Sequence, residues 1–268
     1  MISVITTVYN GKEFFKDVFA CLMGQTFSKF EWIIIDDGST DGLNEFIESG
    51  YMNNDKFPYY YYSEGKLGRA KALNYAITKA KFEYIAILDC DDLWHPMKLE
   101  IQSKLLNNNF LIGTRSLLFR DPHECNIKQL TNDNINIEYI SVFTSLVTTN
   151  TISHSSIVFK KNVIKYNEDL QSQVDMDLIL KFLKLDKNKC IFISEVLTFH
   201  RIHENQYFES LFGMNYKLNS IKLQVKHVLF SKYFYLTPLI LLRILYLLLP
   251  KKIRLLFRNI IKFDAFAK

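Results

Sequence analysis

Through its first 110 residues the chain alternates two hydrophobic periods, and that alternation restricts the available folds more than any other feature. Apolar, largely β-branched or aromatic runs at 2–8, 30–35, 59–62 and 84–88 read as strands. Between them, Phe14, Phe15, Val18, Phe19 and Leu22 recur at helical spacing, as do Leu73, Ala76 and Ile77 within 70–80. Shorter helices are expected near 43–49 and over 96–106, the latter opened by Pro96. Strands buried on both faces and joined by helices form parallel sheets, so the expectation is an α/β, doubly wound fold.

Polar loops follow the first, second and fourth strands: Tyr9-Asn10-Gly11, Asp36-Asp37-Gly38-Ser39-Thr40-Asp41-Gly42 and Asp89-Cys90-Asp91-Asp92. In a parallel sheet these lie along one edge, where ligands collect. Three carboxylates within four positions repel one another unless they are solvated or share a cation. Hard divalent ions take one or two carboxylates and complete their shell with water and phosphate oxygens. An acidic loop capping the following helix fits the same residues.

The second half is less regular. Strands are expected at 110–119, 157–159 and 190–199, an amphipathic helix at 174–185, a polar loop at 120–136 and a helix at 205–228. The four cysteines show no Cys-x-x-Cys spacing, and Met1 runs straight into an apolar stretch with no secretory signal. Reduced thiols in a cytosolic protein are therefore expected.

The net charge of +5 is unevenly placed. Residues 226–268 carry nine Lys/Arg and one acid, whereas residues 1–225 carry 24 bases and 27 acids. A nucleic-acid surface is not implied, and a local anionic partner, first of all a membrane surface, is. The run 234–249 is apolar but is interrupted by Arg243, and a span needs about 20 apolar residues. After Pro250, Lys251, Arg254, Arg258 and Lys262 recur at helical spacing opposite Ile253, Leu256, Phe257, Ile260 and Ile261. That pattern is a basic amphipathic helix suited to a membrane interface. A core helix pair or a homodimer contact is the competing reading.

Taken together, residues 2–10, the Asp36–Asp41 loop, Gly68-Arg69-Ala70, Asn74 and Asp89–Asp92 resemble family 2 glycosyltransferases of the GT-A fold, in order and at matching spacing. The resemblance covers residues 1–100 closely and continues more loosely to about 205. It implies a Rossmann-like, mostly parallel sheet flanked by helices, with residues 1–110 as the nucleotide-binding half and 111–225 as the acceptor-binding half. Residues 226–268 remain as a helical membrane-association tail. It also implies a nucleotide-sugar donor, a divalent metal (Mn²⁺ or Mg²⁺) and transfer with inversion.

By position, Val8 and Tyr9 fall where the family's first loop packs on the base. Thr7 stands where the family often has proline, which leaves the Thr6 and Thr7 hydroxyls near the base. Asp37 sits where a carboxylate accepts from the base N–H, and Arg69 where a basic side chain approaches the nucleotide. Asp89 and Asp91 occupy the metal-motif positions, on the ribose and metal sides respectively, and Asp92 follows them. The Asp175-Met176-Asp177 segment resembles the family's Glu-Asp helix start with Val174 replacing the glutamate, which makes Asp175 the general base and Asp177 the alternative. His200-Arg201-Ile202-His203 resembles the family's Arg-x-His segment, with His203 reaching the metal or diphosphate and Arg201 the leaving group. An ordinary buried histidine fits the His203 position equally. His154 is a candidate for the acceptor side, although a lone histidine in a polar turn is more often structural.

The function expected is an inverting, metal-dependent transfer from a nucleotide-sugar, a UDP-sugar first, to a lipid-linked saccharide in surface polysaccharide assembly. Tail and family together place it peripherally at the cytoplasmic face of a bacterial inner membrane. A sugar-phosphate nucleotidyltransferase would need a glycine-rich phosphate loop with a following arginine after the first strand. A non-catalytic membrane scaffold would not need Asp37, Asp89, Asp91 and Asp175 together.

Overall fold

The computed structural model describes residues 1–120, 152–203, 213–229 and 234–249. Its strands are β1 (Ile2–Val8), β2 (Phe30–Asp36), β3 (Tyr59–Ser63), β4 (Tyr84–Ile87), β5 (Leu93–Trp94), β6 (Leu111–Phe119), β7 (Val158–Lys160) and β8 (Cys190–Arg201). Its helices are α1 (Phe15–Met23), α2 (Leu43–Glu48), α3 (Arg69–Lys79), α4 (Lys98–Ser103), α5 (Val174–Asp186), α6 (Gly213–Leu229) and α7 (Thr237–Leu248).

The eight strands make one sheet in the order β3-β2-β1-β4-β7-β6-β8-β5. β1 to β4 pair in parallel, as the alternation implies. Beyond β4 the sheet is mixed: β7 runs antiparallel to both β4 and β6, and β5 antiparallel to β8. β6 and β8 pair in parallel again, so four of the seven strand pairs among the described residues are parallel and the antiparallel ones all lie beyond β4. The short β5 follows the acidic loop at once, pairing Leu93 with Phe199 and tying that loop to the end of β8.

Helices cover both faces. Ile2, Val4 and Val8 of β1 pack with Phe15, Val18 and Leu22 of α1 and Leu99 of α4. Ile5 turns to the other side, with Ala70, Leu73 and Ala76 of α3 and Leu178 and Phe182 of α5. Each such fully buried side chain contributes about 1.5–3 kcal/mol. A one-residue slip would exchange both faces at once, so the register is strongly specified. Val8 lies opposite Asp36 across β1 and β2, which brings the loops after these strands side by side.

The last two helices form a small core of their own from Ile221, Val228, Leu236 and Ile240. α6 is also tied to α5, His227 Nε2 lying 2.9 Å from Asp177 Oδ1. The boundary expected between 225 and 226 thus falls inside α6, which belongs with the body of the protein. Among the described residues, no helix is long and apolar enough to cross a membrane. The 120–136 loop beyond its first residue and the basic segment after Pro250 lie outside the described residues.

Candidate active site

The loops after β1, β2 and β4 are fastened to one another by their own polar side chains. Asn10, at φ 53°, accepts from Thr40 N–H and donates its backbone N–H to Ser39 Oγ. Lys12 N–H donates to Asp41. Asp36 is fully occupied, accepting from Ser39 N–H at 2.7 Å and from Tyr61 OH at 2.7 Å. Asp37 accepts from the backbone N–H groups of Leu67 and Gly68, and so holds the Gly65–Arg69 loop beside the loop that follows β2. Gly38 sits at φ +85°, and a Cβ there would come within 3.2 Å of Lys66 N. This close approach of two backbones is what its missing side chain permits. Lys66 in turn places its ammonium 4.7 Å from the centre of the Tyr9 ring, which is 52% exposed at the mouth.

Thr6 does not reach this edge. Its hydroxyl is buried on the opposite face, where it accepts from Trp32 Nε1 at 2.9 Å. The side-chain alternation of the strand decides this: Thr6 shares the α1 face with Val4 and Val8, while Thr7 shares the other face with Ile5. The expectation for two hydroxyls near the base reduces to Thr7.

The acidic loop separates its three carboxylates by function. Asp89 faces Arg69, whose guanidinium nitrogen lies 2.9 Å from both carboxylate oxygens. Burial disfavours the Asp89 charge, but the guanidinium, backed by His154, outweighs it and holds this carboxyl well below the usual carboxylate range. Arg69 is itself held in its charged form: burial opposes this, and Asp89, Asp175 and Asp91 overcome it. Asp175, at the second position of α5, thus acts electrostatically on the same guanidinium as the acidic loop.

Asp91 Oδ2 lies 3.1 Å from His203 Nε2, and its backbone carbonyl accepts from Arg201 Nε at 2.8 Å. Asp92 is wholly buried and accepts from Ser155 Oγ, from Arg201 N–H at 3.1 Å and from His200, whose Nδ1 is 2.9 Å away. The Asp92 carboxylate outweighs the burial of His200 and lifts that imidazole to about 9.

Several of the sequence-derived candidates therefore serve as supports. Asp92 points into the protein. Arg201 is buried, pairs with Asp17 at 2.7 Å and lies between the rings of Phe14 and Phe119, so its charge braces the Asp91 backbone. His154 is buried behind Asp89, with its Nδ1 3.0 Å from the Arg69 guanidinium and 3.4 Å from Asp89 Oδ1 and its Nε2 2.8 Å from Tyr166 OH. Asp177 is ion-paired with Lys181 and His227 inside the helix packing, which leaves Asp175 as the acid of that pair at the site.

Two residues were not singled out from the sequence. Ser155 joins the acidic loop to the 153–156 turn: its hydroxyl donates to Asp92 and accepts from Asp89 N–H at 3.0 Å. Trp94 Nε1 and Gln102 Nε2 hold that turn by the carbonyls of Ser155 and Ser156. Gln173, just before α5, is buried in the left-handed region at φ 60°. Non-glycine residues held there carry strain that clusters at functional sites. A serine inside a polar run and a glutamine before a helix carry no sequence signal for either role.

The donor atoms suit a divalent ion of the magnesium or manganese kind. Asp91 and His203, whose Oδ2 and Nε2 face each other at 3.1 Å, are the side chains that would hold it. Asp89 is engaged with Arg69. Among the described residues no three His, Cys, Asp or Glu side chains converge as a closed cage. Such a site is completed by water and phosphate oxygens.

Residues 3–166 match the family described as Glycosyl transferase family 2, and the chain belongs to that family. An uncharacterized glycosyltransferase of Rickettsia typhi is 32% identical over 219 residues, covering 77% of this chain and 65% of that protein. The chain thus spans slightly less than two thirds of that relative. TuaG of Bacillus subtilis, named for glycosyl transfer in teichuronic acid biosynthesis, is 36% identical over 106 residues, 40% of this chain and 42% of its own length. Among solved structures, S. aureus TarS 1–349 in complex with UDP-GlcNAc has a TM-score of 0.66 at 16% identity, covering 89% of this chain and 70% of that one. The mannosyltransferase PcManGT of Pyrobaculum calidifontis, in complex with GDP-Man and Mn²⁺, has a TM-score of 0.58 at 16% identity, covering 85% and 62%. At such identities these likenesses speak to the fold, a GT-A-like mixed sheet flanked by helices.

Proposed function

We propose that this chain is an inverting glycosyltransferase that moves a sugar from a nucleotide-sugar, a UDP-sugar, to a hydroxyl of a lipid-linked saccharide in surface polysaccharide synthesis. The observation that carries the proposal is the single cluster at the edge of the parallel strands. There Asp89 is bound by Arg69, Asp91 stands beside His203, and Asp175 acts on the same guanidinium. The UDP-GlcNAc complex of TarS and the name of TuaG support the donor and pathway class respectively.

Transfer leaves negative charge on a nucleoside diphosphate while a weak hydroxyl nucleophile attacks the opposite face of the sugar. Tyr9, exposed and flanked by Lys66, offers a ring face to the base. Asp37 fixes the loop that closes over it. Arg69 presents a fixed positive charge toward the diphosphate, its orientation set by Asp89 and His154. Asp91 and His203 would hold the divalent ion, which when bound supplies Lewis acidity to the diphosphate. Asp175 removes the acceptor proton at its carboxylate oxygen, a general-base role worth about 10²–10⁴ in rate. The reaction is placed at the cytoplasmic face of a bacterial inner membrane, where lipid-linked acceptors lie.

Titration calorimetry with UDP tests the donor half. Mn²⁺ is expected to tighten UDP binding to the wild type, and Asp91→Asn to lose that increment while keeping the metal-independent binding. UDP affinity indifferent to Mn²⁺ in the wild type would contradict the metal assignment, and no UDP binding at all would favour the scaffold reading.

A further inference from the structure

The outer face of α7 is uncovered and apolar. Leu241, Leu242, Leu245 and Leu248 are 55%, 54%, 60% and 75% exposed and recur at helical spacing, with Phe234 and Tyr235 exposed just before them. The inner face is spent on α6, where Leu236 and Ile240 are buried against Ile221 and Val228. Arg243, the charge that interrupts this apolar run, is turned away from the leucines. Its guanidinium donates to Gln224 Oε1 and to Ser220 Oγ of α6. The obstacle that the sequence places in the middle of the run is thus withdrawn from the exposed face.

We propose that α7 docks on an anionic lipid surface, lying in the interface plane with its leucine face inserted and its inner face on α6. This deepens the lipid-linked acceptor reading and rests on it only for its biological purpose, since the physical argument is independent of catalysis. At twelve residues α7 is about 18 Å long, against a hydrocarbon core of about 30 Å, so it lies in the surface and does not span. The charge of the sequence that flanks α7 favours an anionic lipid. No Asp or Glu occurs between Glu209 and Asp264, and ten Lys or Arg do. A positive stretch without an acid is drawn to anionic headgroups. A second copy of the chain would set those same charges against each other. The chain's own residues after Pro250, if folded back, would bring Lys251, Lys252, Arg254 and Arg258 onto a stretch of chain that carries no acid to pair with them. Exposed aromatic residues at the start of the helix suit the headgroup level.

The test uses the full chain, co-sedimented with phosphatidylcholine vesicles prepared with and without phosphatidylglycerol. The wild type is expected to bind the anionic vesicles. The paired substitution Leu241→Ser and Leu245→Ser is expected to weaken that binding at least about tenfold. UDP binding and the circular dichroism spectrum, which report the site and the fold, should stay as in the wild type. In a separate variant, Leu245→Trp, brominated phosphatidylglycerol should quench the new indole, against the buried Trp32 and Trp94. The proposal is overturned if the serine pair partitions like the wild type, if the new indole is not quenched, or if the pair instead converts a sedimenting dimer to a monomer. Failure to bind UDP would refute the donor reading and leave the vesicle result standing, so the two can be told apart.

Discussion

The acidic loop works because its carboxylates are not equivalent. Asp89 and Asp91 are half-open and face Arg69 and His203, while Asp92 is buried among three donors and anchors the loop from below. Ser155 is the joint between them, bonded to Asp92 by its O–H and to the Asp89 backbone by its oxygen. Ser155→Ala removes both contacts and leaves a buried carboxylate short of a donor, at a cost of about 1–3 kcal/mol. Chemical denaturation should show that loss, and metal-dependent UDP affinity should fall with it. Stability equal to the wild type would mean that Asp92 is satisfied without the hydroxyl. The sequence shows three acids and a helix-opening proline, and so leaves cation site and cap both open. What separates the three is partners from twenty to more than a hundred residues away, which no local pattern reports.

At the scale of elements, α5 carries the same division of labour two residues apart, on opposite sides of the helix. Asp175 acts electrostatically on Arg69, whereas Asp177 is buried, with Lys181 Nζ at 2.6 Å and His227 Nε2 at 2.9 Å. Burial alone would raise the Asp177 pKa; the hydrogen bonds from His227 and Lys181 outweigh it and hold the carboxyl below its ordinary value. A carboxyl whose folded pKa is depressed adds stability above its unfolded pKa, about 3.9, and loses it as the pH falls through the folded value. Asp177→Asn should therefore be less stable than the wild type at neutral pH, by about 1–3 kcal/mol. The gap should narrow below about pH 4. A gap that is constant from pH 7 to pH 3 would contradict the ion pair. The first four strands and their helices could be read from the sequence because each is a local period, continuous for buried strands and 3.6 for α1 and α3. The two-residue β5 could not, and although a strand was expected at 157–159, the antiparallel pairing of β7 was not legible, since both pairings are set by β8 and β4 far along the chain.

Across the whole molecule, α5, α6 and α7 form a continuous path from the candidate base to the proposed lipid face. Asp177 of α5 meets His227 of α6, and Ser220 and Gln224 of α6 meet Arg243 of α7. A lipid-linked acceptor held at that surface would approach from the side of α5, and orienting two substrates so is a large part of what a transferase contributes. The charge split of the sequence pointed to the tail as the anionic contact, while the leucine face and the inward turn of Arg243 depend on how α7 rolls against α6. The most direct test of the account is turnover by Asp175→Asn. A screen of nucleotide sugars with Mn²⁺ identifies the donor from which the wild type transfers or releases sugar. With that donor, Asp175→Asn is expected to lose at least about 10² in rate while UDP affinity is unchanged. Wild-type turnover by the variant would contradict the assignment of the base and with it the mechanism.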